Sequence, residues 1–351
     1  MPPQQSEVNP RECAWCYHES ETIMSAHTGP FCHTAFQTFT QRGVAEAGSQ
    51  LLTEESMSST RMKNAFAWGV IKTYRVVDRR RTAHHMLNRI FWLFGGGGSF
   101  PVEIGYRNPL RMEQRIRLAL DLAQNVDLWL FRARGHYERG HMQWLLAQIR
   151  AHGVRRVLDV GANLGIWSLL LAQAEPGAMI DAYEPLTENW EALTRQVAIN
   201  ELAGQIRAHH LAIGDRAQWA RLWRNPYNNG GGSLSRQYVL ACTQSVATYQ
   251  QRHPAEPIVE DVPMQTLDTL ITRPCVVKID VESAELMVLA GARQAIEHGL
   301  IRALVMEVQA RHREDVEQAL RTRFQWTWEG GPRVFTIRAV ALASQKEGAC
   351  G

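Results

Sequence analysis

The chain has 351 residues, of which 45% are hydrophobic and 21% charged, and its formal net charge is +3. This balance is typical of a soluble globular protein and excludes a disordered or a membrane-spanning class, while the length allows one large domain plus a smaller part. No apolar run approaches the roughly 20 residues of a spanning helix, and the amino terminus has no signal-peptide pattern, so no membrane span and a cytoplasmic location are expected.

A group of cysteines and histidines lies near the amino terminus. Cys13 and Cys16 form a Cys-x2-Cys knuckle, and Cys32 and His33 follow it. These residue types hold tetrahedral zinc in proteins, and a short segment with little core gains folding energy from the metal. The second pair is irregular because its members are adjacent, so another nearby histidine could replace His33. The segment is interpreted either as a structural zinc site or as free cysteines in a partly packed extension.

A basic stretch follows the cysteines. Between Arg61 and Arg89 there are eight basic residues and one acidic residue, Asp78. Such an excess favours contact with phosphate or an anionic membrane surface, although many charge runs only form a solvated helix face. The run of glycines and serine at residues 95–99 predicts a linker, because glycine is costly to order. We therefore divide the chain into an amino-terminal extension (1–94), the linker (95–99) and a main domain (100–345).

The main domain begins with helical patterns and continues with alternating strands and helices. Periodic apolar residues predict a helix within Arg111–Arg132 and a second helix over His141–His152. Strand–helix alternation predicts a doubly wound α/β domain with a mostly parallel sheet, and the last two strands form an antiparallel hairpin. The predicted strands are Arg156–Val160, Ala178–Tyr183, Ile206–Ile213, Cys275–Asp280, Ile301–Val308, Phe324–Trp328 and Arg333–Val340.

A glycine-containing turn follows the first strand of this alternation. Asp159 lies near the end of that strand, and Gly161 and Gly165 allow the backbone to turn tightly before the next helix. In open α/β sheets, ligands bind at this edge. Glu184 ends the next strand, about 20 residues later, where a carboxylate can accept hydrogen bonds from ribose hydroxyls. The spacing alone suits a nicotinamide or flavin dinucleotide as well as other nucleosides, and a P-loop is excluded because no Gly-Lys-Ser/Thr follows.

An ordered set of short motifs resembles the FkbM family of S-adenosylmethionine-dependent O-methyltransferases. The likeness runs from about Tyr137 to Val340. It depends on the following motifs: Tyr137-Glu138, Asp159 to Gly165, Tyr183-Glu184-Pro185 with Asn189 and Asn200, Ala212 to Asp215, Thr266-Leu267-Asp268, and Lys278 to Glu282 with Glu285. The resemblance implies a class I methyltransferase of Rossmann-like fold with S-adenosylmethionine as its cofactor.

The resemblance also implies roles for individual residues. The cofactor would be held by Asp159 and Gly161 at its methionine end, by Glu184 at the ribose, and by Ala212, Ile213 and Asp215 beside the adenine. Asn163 and Gly165 would also bind it. Asp280 and Glu282 would face the methyl group and the acceptor, where one of them acts as the base or both only position groups. One departure is Ser283, which stands where the family usually has glycine; a serine there is expected to cap a helix beginning at Ala284.

Two segments of the main domain are expected to lie near the acceptor or on the surface. Asn225 to Ser233 is interpreted as a loop that helps to cover the acceptor, and Gln237–Asp261 as either a lid or a plain surface insertion.

The sequence favours methylation of a hydroxyl on a sugar, glycolipid or secondary metabolite, so the partner is a small-molecule or glycan acceptor. The alternatives are a nucleic-acid methyltransferase that uses the extension to bind its substrate, and a binding module fused to a degenerate methyltransferase domain. The acceptor and the oligomeric state are not predicted.

Overall fold

The computed structural model describes residues 101–342, except residues 112, 122–123, 134–136, 227, 250–255 and 332–333. The predicted zinc ligands Cys13, Cys16, Cys32 and His33, the basic stretch and the glycine-rich linker lie outside the described residues. Among the helices in the described ranges, none is both long enough and apolar enough to cross a bilayer.

Strands and helices alternate through most of the described chain. The strands are β1 (Pro101–Arg107), β2 (Arg115–Asp121), β3 (Arg156–Val160), β4 (Met179–Glu184), β5 (Ile206–His210), β6 (Ala212–Ile213), β7 (Gln218–Arg224), β8 (Gly232–Ser233), β9 (Ile258–Gln265), β10 (Cys275–Ile279), β11 (Ile301–Gln309), β12 (Phe324–Gly330) and β13 (Val334–Ala341). The helices are α1 (Asn125–Ala133), α2 (Arg139–Ala151), α3 (Ile166–Ala174), α4 (Thr187–Ile199), α5 (Arg236–Tyr249), α6 (Leu267–Leu270), α7 (Glu285–Ala290), α8 (Arg293–Glu297) and α9 (Arg313–Leu320). A short 3-10 helix, Ala310–His312, precedes α9.

A seven-stranded sheet forms the centre of the domain, in the order β12-β13-β11-β10-β3-β4-β5. The strands from β11 to β5 in this order run parallel, whereas β13 is antiparallel to both of its neighbours. The predicted mostly parallel sheet and the closing hairpin are therefore confirmed. The chain moves from β3 outward to β5 and later returns to β10 on the other side of β3. This reversal between β3 and β10 is the position at which open α/β sheets bind ligands.

The two faces of the central sheet carry different helices. Leu158, Val277 and Ile279 belong to an apolar core shared with α7, α8 and α9. Because side chains alternate along a strand, Asp159 and Lys278 point to the opposite face. Asp159 there bonds to Ser168 of α3, with Ser168 Oγ 2.7 Å from its Oδ2. Helices thus cover both faces, which confirms the predicted doubly wound arrangement.

A second, four-stranded sheet lies beside the central one, in the order β6-β9-β7-β8. Its strands lie between β5 and α6 along the chain, and α5 lies between β8 and β9. The predicted strand Ile206–Ile213 is wrong as a single element, because it divides into β5 of the central sheet and β6 of this second sheet. The segment Gln237–Asp261, interpreted as a lid or surface insertion, instead contains much of α5 and half of β9, and its Val239 and Cys242 are buried.

Two further local predictions are wrong. The helix predicted within Arg111–Arg132 contains β2 and only then α1. Ile116, Leu118 and Leu120 alternate with less buried residues and are buried on one side of a hairpin with β1. The second predicted helix is confirmed as α2.

Ser283 does not cap a helix. Helix α7 begins at Glu285 with Ala284 at its N-cap and no side-chain cap. Ser283 has a φ of 74°, and its hydroxyl accepts a hydrogen bond from the guanidinium of Arg311.

Candidate active site

A cleft opens at the carboxyl ends of β3, β4 and β10, where the strand order reverses. Its volume is about 910 Å³, including the solvent at its mouth. The second sheet and α1 close its other sides. The cleft is lined among others by Val126, Leu130, Tyr137, Gly161, Ala162, Asn163, Trp167, Glu184, Leu186, Asn189, Ala212, Ile213, Asn229, Gly232, Ser233, Lys278, Asp280, Val281 and Glu282.

The turn after β3 brings backbone close to the neighbouring strand. Gly161 has a φ of 75°, and a Cβ built there would overlap the carbonyl oxygen of Asp280 and lie 2.8 Å from its carbonyl carbon. The amides of Gly161 and Ala162 both donate to the carbonyl oxygen of Tyr183 at 3.0 Å. Asn163, with a φ of 51°, continues the turn. Glycine at 161 is therefore required both by the left-handed backbone and by the close approach of β10.

Glu184 is a buried carboxylate at the end of β4, with 4% of its surface exposed. Its two oxygens accept hydrogen bonds from the amides of Asn163, at 2.8 Å, and Leu186, at 3.0 Å. Burial raises the pKa of Glu184 to about 7, although these amide hydrogen bonds act in the opposite direction. The residue is thus a strong hydrogen-bond acceptor at the edge of the cleft that titrates near neutral pH.

Lys278 is a buried cation between the ends of β3 and β10. Its Nζ lies 2.7 Å from the carbonyl oxygen of Gly161, 3.2 Å from Asp159 Oδ1 and 3.5 Å from Asp280 Oδ2. Burial lowers the pKa of Lys278, but the carboxylates of Asp159 and Asp280 outweigh it and raise the pKa above its usual value. The lysine therefore stays charged and compensates the buried carboxylate of Asp159.

Three carboxylates gather beyond the end of β10. One oxygen each of Asp280, Glu282 and Glu307 lies within 4.8 Å of the others. Burial, followed by the charges of Asp280 and Glu282, raises the pKa of Glu307 well above its usual range. Glu138, which accepts a 2.7 Å hydrogen bond from the indole of Trp167, has a pKa raised to about 7 by burial and by Asp280. This side of the cleft is acidic, and its three clustered oxygens are of the kind that also ligate hard cations.

The structure brings together most of the residues singled out from the sequence. Gly161, Asn163, Glu184, Ala212, Ile213, Asp280 and Glu282 all line the cleft.

Three residues of the predicted set do not line the cleft. Asp159 is covered by Lys278 and Ser168. Gly165 faces α4, where a Cβ would overlap Cδ1 of Leu193. Asp215 pairs with the exposed side chain of its neighbour Arg216 at 2.7 Å.

Sequence reasoning missed four residues of this site. Lys278 could have been found, because a lysine inside a run of buried β-branched residues needs buried partners of opposite charge. Asn229 joins several elements: it donates to Asp127 at 2.8 Å, and its carbonyl accepts from Asn189 at 2.7 Å. No local pattern marks this role, nor that of Tyr238 or Glu307, because their partners are distant along the chain.

Comparisons with known proteins agree with this geometry. A sequence profile of the methyltransferase FkbM domain matches residues 159–333. Methyltransferase sdnD of Sordaria araneosa is 26% identical over 170 residues, which cover 43% of this chain and 65% of the relative. Methyltransferase 1 of Beauveria bassiana (strain ARSEF 2860) is 24% identical over 146 residues, which cover 38% and 57%. The matched region thus spans less than two thirds of either relative.

A solved structure, the human methyltransferase 10 domain containing protein, is 12% identical and covers 58% of this chain and 81% of its own, with a TM-score of 0.34. That score is too low to support an argument about function. The sheet order, the cleft at the strand reversal and the matched profile agree with a class I methyltransferase fold. Residues 159–333 of this chain therefore form an FkbM methyltransferase domain.

Proposed function

We propose that the protein is an S-adenosylmethionine-dependent O-methyltransferase that acts on a hydroxyl of a neutral acceptor such as a sugar, a glycolipid or a secondary metabolite. The observation that carries the proposal is the pairing, in one cleft, of the buried carboxylate Glu184 with the acidic group Asp280 and Glu282. Glu184 can accept hydrogen bonds from a ribose, and Asp280 and Glu282 can stabilise a positive charge beside a reacting hydroxyl.

The cofactor fits the residues that line the cleft. Glu184 can accept hydrogen bonds from the two ribose hydroxyls. Ala212 and Ile213 are buried and apolar, and offer a surface for a flat base. The carboxylates at the end of β10 lie on the side where a cationic sulfonium and ammonium group would be stabilised by charge.

The same lining argues against a dinucleotide, the alternative that the spacing left open. A pyrophosphate needs cationic side chains or free amides. Among the described lining residues, Lys278 is the one basic side chain, and it already contacts Asp159 and Asp280. Glu184 and Glu282, which also line the cleft, would repel phosphate. For the same reason, we expect a neutral acceptor rather than a phosphorylated one.

The chain has to supply little beyond binding, orientation and a proton acceptor. When bound, S-adenosylmethionine supplies a methyl group on a sulfonium that is already a good leaving group. The hydroxyl proton passes to a carboxylate oxygen of Asp280 or Glu282, which line the cleft. Alignment of the oxygen behind the methyl group provides much of the rate.

Binding of S-adenosylhomocysteine, measured by calorimetry, tests the cofactor assignment. We expect the wild-type protein to bind it and Glu184→Ala to weaken binding at least about tenfold, as expected when a charged acceptor of buried hydrogen bonds is removed. Glu297→Ala, at an exposed position on α8, is the matched control. A wild-type protein that does not bind would contradict the proposal and favour a degenerate domain fused to a binding module.

Transfer of labelled methyl from S-adenosylmethionine tests the acceptor class. Glycosides, polyols and hydroxylated metabolites are offered beside RNA and DNA, and each reaction is divided into nuclease-treated and untreated portions. Label in a nuclease-resistant, hydroxyl-bearing product supports the proposal. Nuclease-sensitive label would instead favour the nucleic-acid alternative suggested by the basic residues between Arg61 and Arg89. The zinc site, the division at residues 95–99 and the cytoplasmic location stay predictions.

A further inference from the structure

Glu282 is held by two side chains of the second sheet and α5. The hydroxyl of Tyr238 donates to Glu282 Oε2, and Ser233 Oγ donates to the backbone carbonyl of Glu282 at 2.6 Å. We propose that Tyr238 and Ser233 are positioning residues that fix the Glu282 carboxylate toward the acceptor. The inference depends on the proposed methyl transfer at this cleft and assigns a role to residues outside the central sheet.

The backbone at Glu282 needs such support. Glu282 and Ser283 have φ values of 48° and 74°, in the left-handed region that residues with a side chain rarely adopt. Two such residues in succession persist only when their surroundings determine the conformation. The carbonyl of Glu282 is fixed by Ser233, and the amide of Ser283 donates to Glu285 Oε1 at 2.9 Å.

Tyr238 is itself rigidly anchored. It is 1% exposed and packs with Val239 and Cys242 of α5 in a small apolar cluster. Its amide donates to Ser235 Oγ at 3.3 Å, and the amide of Ser235 donates to Ser233 Oγ at 3.0 Å. The two groups that hold Glu282 are therefore part of one hydrogen-bonded turn, so they move together.

Charge gives this arrangement a chemical consequence. Asp280 and Glu307 lie beside Glu282. Burial and its acidic neighbours raise the pKa of Glu307, so charge repulsion acts mainly between Asp280 and Glu282 and favours turning one of them away. A phenol that donates to Glu282 keeps its carboxylate in place. Without Tyr238, we expect a carboxylate that is still present but poorly aimed.

A double-mutant cycle tests the coupling without any acceptor. Tyr238→Phe, Glu282→Ala and the double variant are unfolded in guanidinium chloride beside the wild type. We expect Tyr238→Phe to change the unfolding equilibrium constant about tenfold in the wild-type background and much less in the Glu282→Ala background, which lacks the acceptor oxygen. Equal changes in both backgrounds would overturn the proposal. Tyr106→Phe, a buried tyrosine of the β1–β2 hairpin, is the control and should show no coupling.

Activity separates positioning from a merely structural role. With labelled S-adenosylmethionine and the hydroxyl-bearing mixture, we expect Tyr238→Phe to lower kcat about tenfold, the size typical of a misdirected acid–base group. Its affinity for S-adenosylhomocysteine should stay within about twofold of wild type, and in the Glu282→Ala background it should have no further effect. A kcat equal to that of Tyr106→Phe would refute the inference.

Two outcomes remain distinguishable. If the wild type itself fails to bind S-adenosylhomocysteine, the proposed function fails. If it binds and transfers methyl but the two substitutions act independently, only the positioning role fails. Should Tyr238→Phe not fold, Ser233→Ala, which removes the 2.6 Å hydrogen bond to the carbonyl of Glu282, must show the same kcat loss with unchanged cofactor affinity, or the proposal is wrong.

Discussion

Substitution of Gly161 by alanine should strongly destabilise the protein, because two independent restrictions apply at that position. Its φ of 75° is one that side-chain-bearing residues rarely adopt. A Cβ would overlap the carbonyl oxygen of Asp280 and lie 2.8 Å from the carbonyl carbon, so backbone must move. That movement would strain the 2.7 Å hydrogen bond from Lys278 to the carbonyl of Gly161.

The size of the effect can be worked out from these two restrictions. The left-handed backbone costs alanine about 1–2 kcal/mol more than glycine. Forcing an extra carbon into a packed site typically costs about 1–3 kcal/mol. We therefore expect Gly161→Ala to lower the free energy of unfolding by about 2–5 kcal/mol. For a domain of this size, each kcal/mol lowers Tm by about 2–4 °C, so a central value near 3 kcal/mol corresponds to a loss of about 6–12 °C.

The assay is thermal unfolding followed by circular dichroism, with Gly140→Ala as the matched control. Gly140 lies in α2, and a Cβ there meets nothing within 4 Å, so alanine should leave Tm unchanged or raise it slightly. Gly161→Ala should also lose affinity for S-adenosylhomocysteine, because the displaced turn carries Asn163. If Gly161→Ala and Gly140→Ala melt at the same temperature, the close approach of the β3 turn to β10 is wrong.

Two further predictions concern pH and backbone strain. With a pKa of about 7, Glu184 is mostly protonated at pH 6 and ionised at pH 8. Ribose hydroxyls donate stronger hydrogen bonds to the ionised carboxylate than to the protonated carboxyl. The affinity for S-adenosylhomocysteine should therefore rise several-fold from pH 6 to pH 8. Calorimetry of Glu184→Gln should give weaker binding with little pH dependence, and the same slope in both proteins would contradict the assignment. Ser283→Gly and Ser283→Ala both lose the hydroxyl that accepts from Arg311, but only glycine relieves the φ of 74°, so the glycine variant should be about 1 kcal/mol more stable in chemical denaturation. Equal stability of the two variants would show that residue 283 is not strained.

The middle strands of the central sheet could be predicted because they are buried on both faces and are largely apolar. Cys275–Ile279 is buried throughout and was predicted almost to the residue. The hairpin β1–β2 was missed for a different reason. Apolar residues at Ile116, Leu118 and Leu120 fit a strand, but charged neighbours and the helix that follows gave the longer window a helical character. The alternation of buried and less buried residues indicated the strand correctly, because only one side of the hairpin is buried.

The site was predictable where a residue acts through its own position on a strand. Glu184 and Asp280 follow strands, so their place at the edge of the sheet follows from the order of elements. Asp159 precedes the strand end by one residue, and alternation turns it toward Lys278 rather than into the cleft. Asp215 is turned away because β6 leaves the central sheet. Tyr238 and Glu307 join the site only through tertiary packing, which no local pattern encodes.

Strain and buried charge are concentrated around the cleft. Five described non-glycine residues have positive φ, and four of them, Glu138, Asn163, Glu282 and Ser283, are at or beside the cleft. Each costs about 1–3 kcal/mol, which the surrounding hydrogen bonds must offset. Glu184 and Glu138 add carboxyls whose pKa values burial raises to about 7. Selection for stability alone would not retain strained residues and buried carboxyls together around one cleft. Replacing any one of them with a residue that removes the strain or the buried charge would stabilise the protein. Substitutions that stabilise this cleft are therefore the ones we expect to reduce methyl transfer, whereas stabilising substitutions at exposed positions such as Glu297 should leave it unchanged.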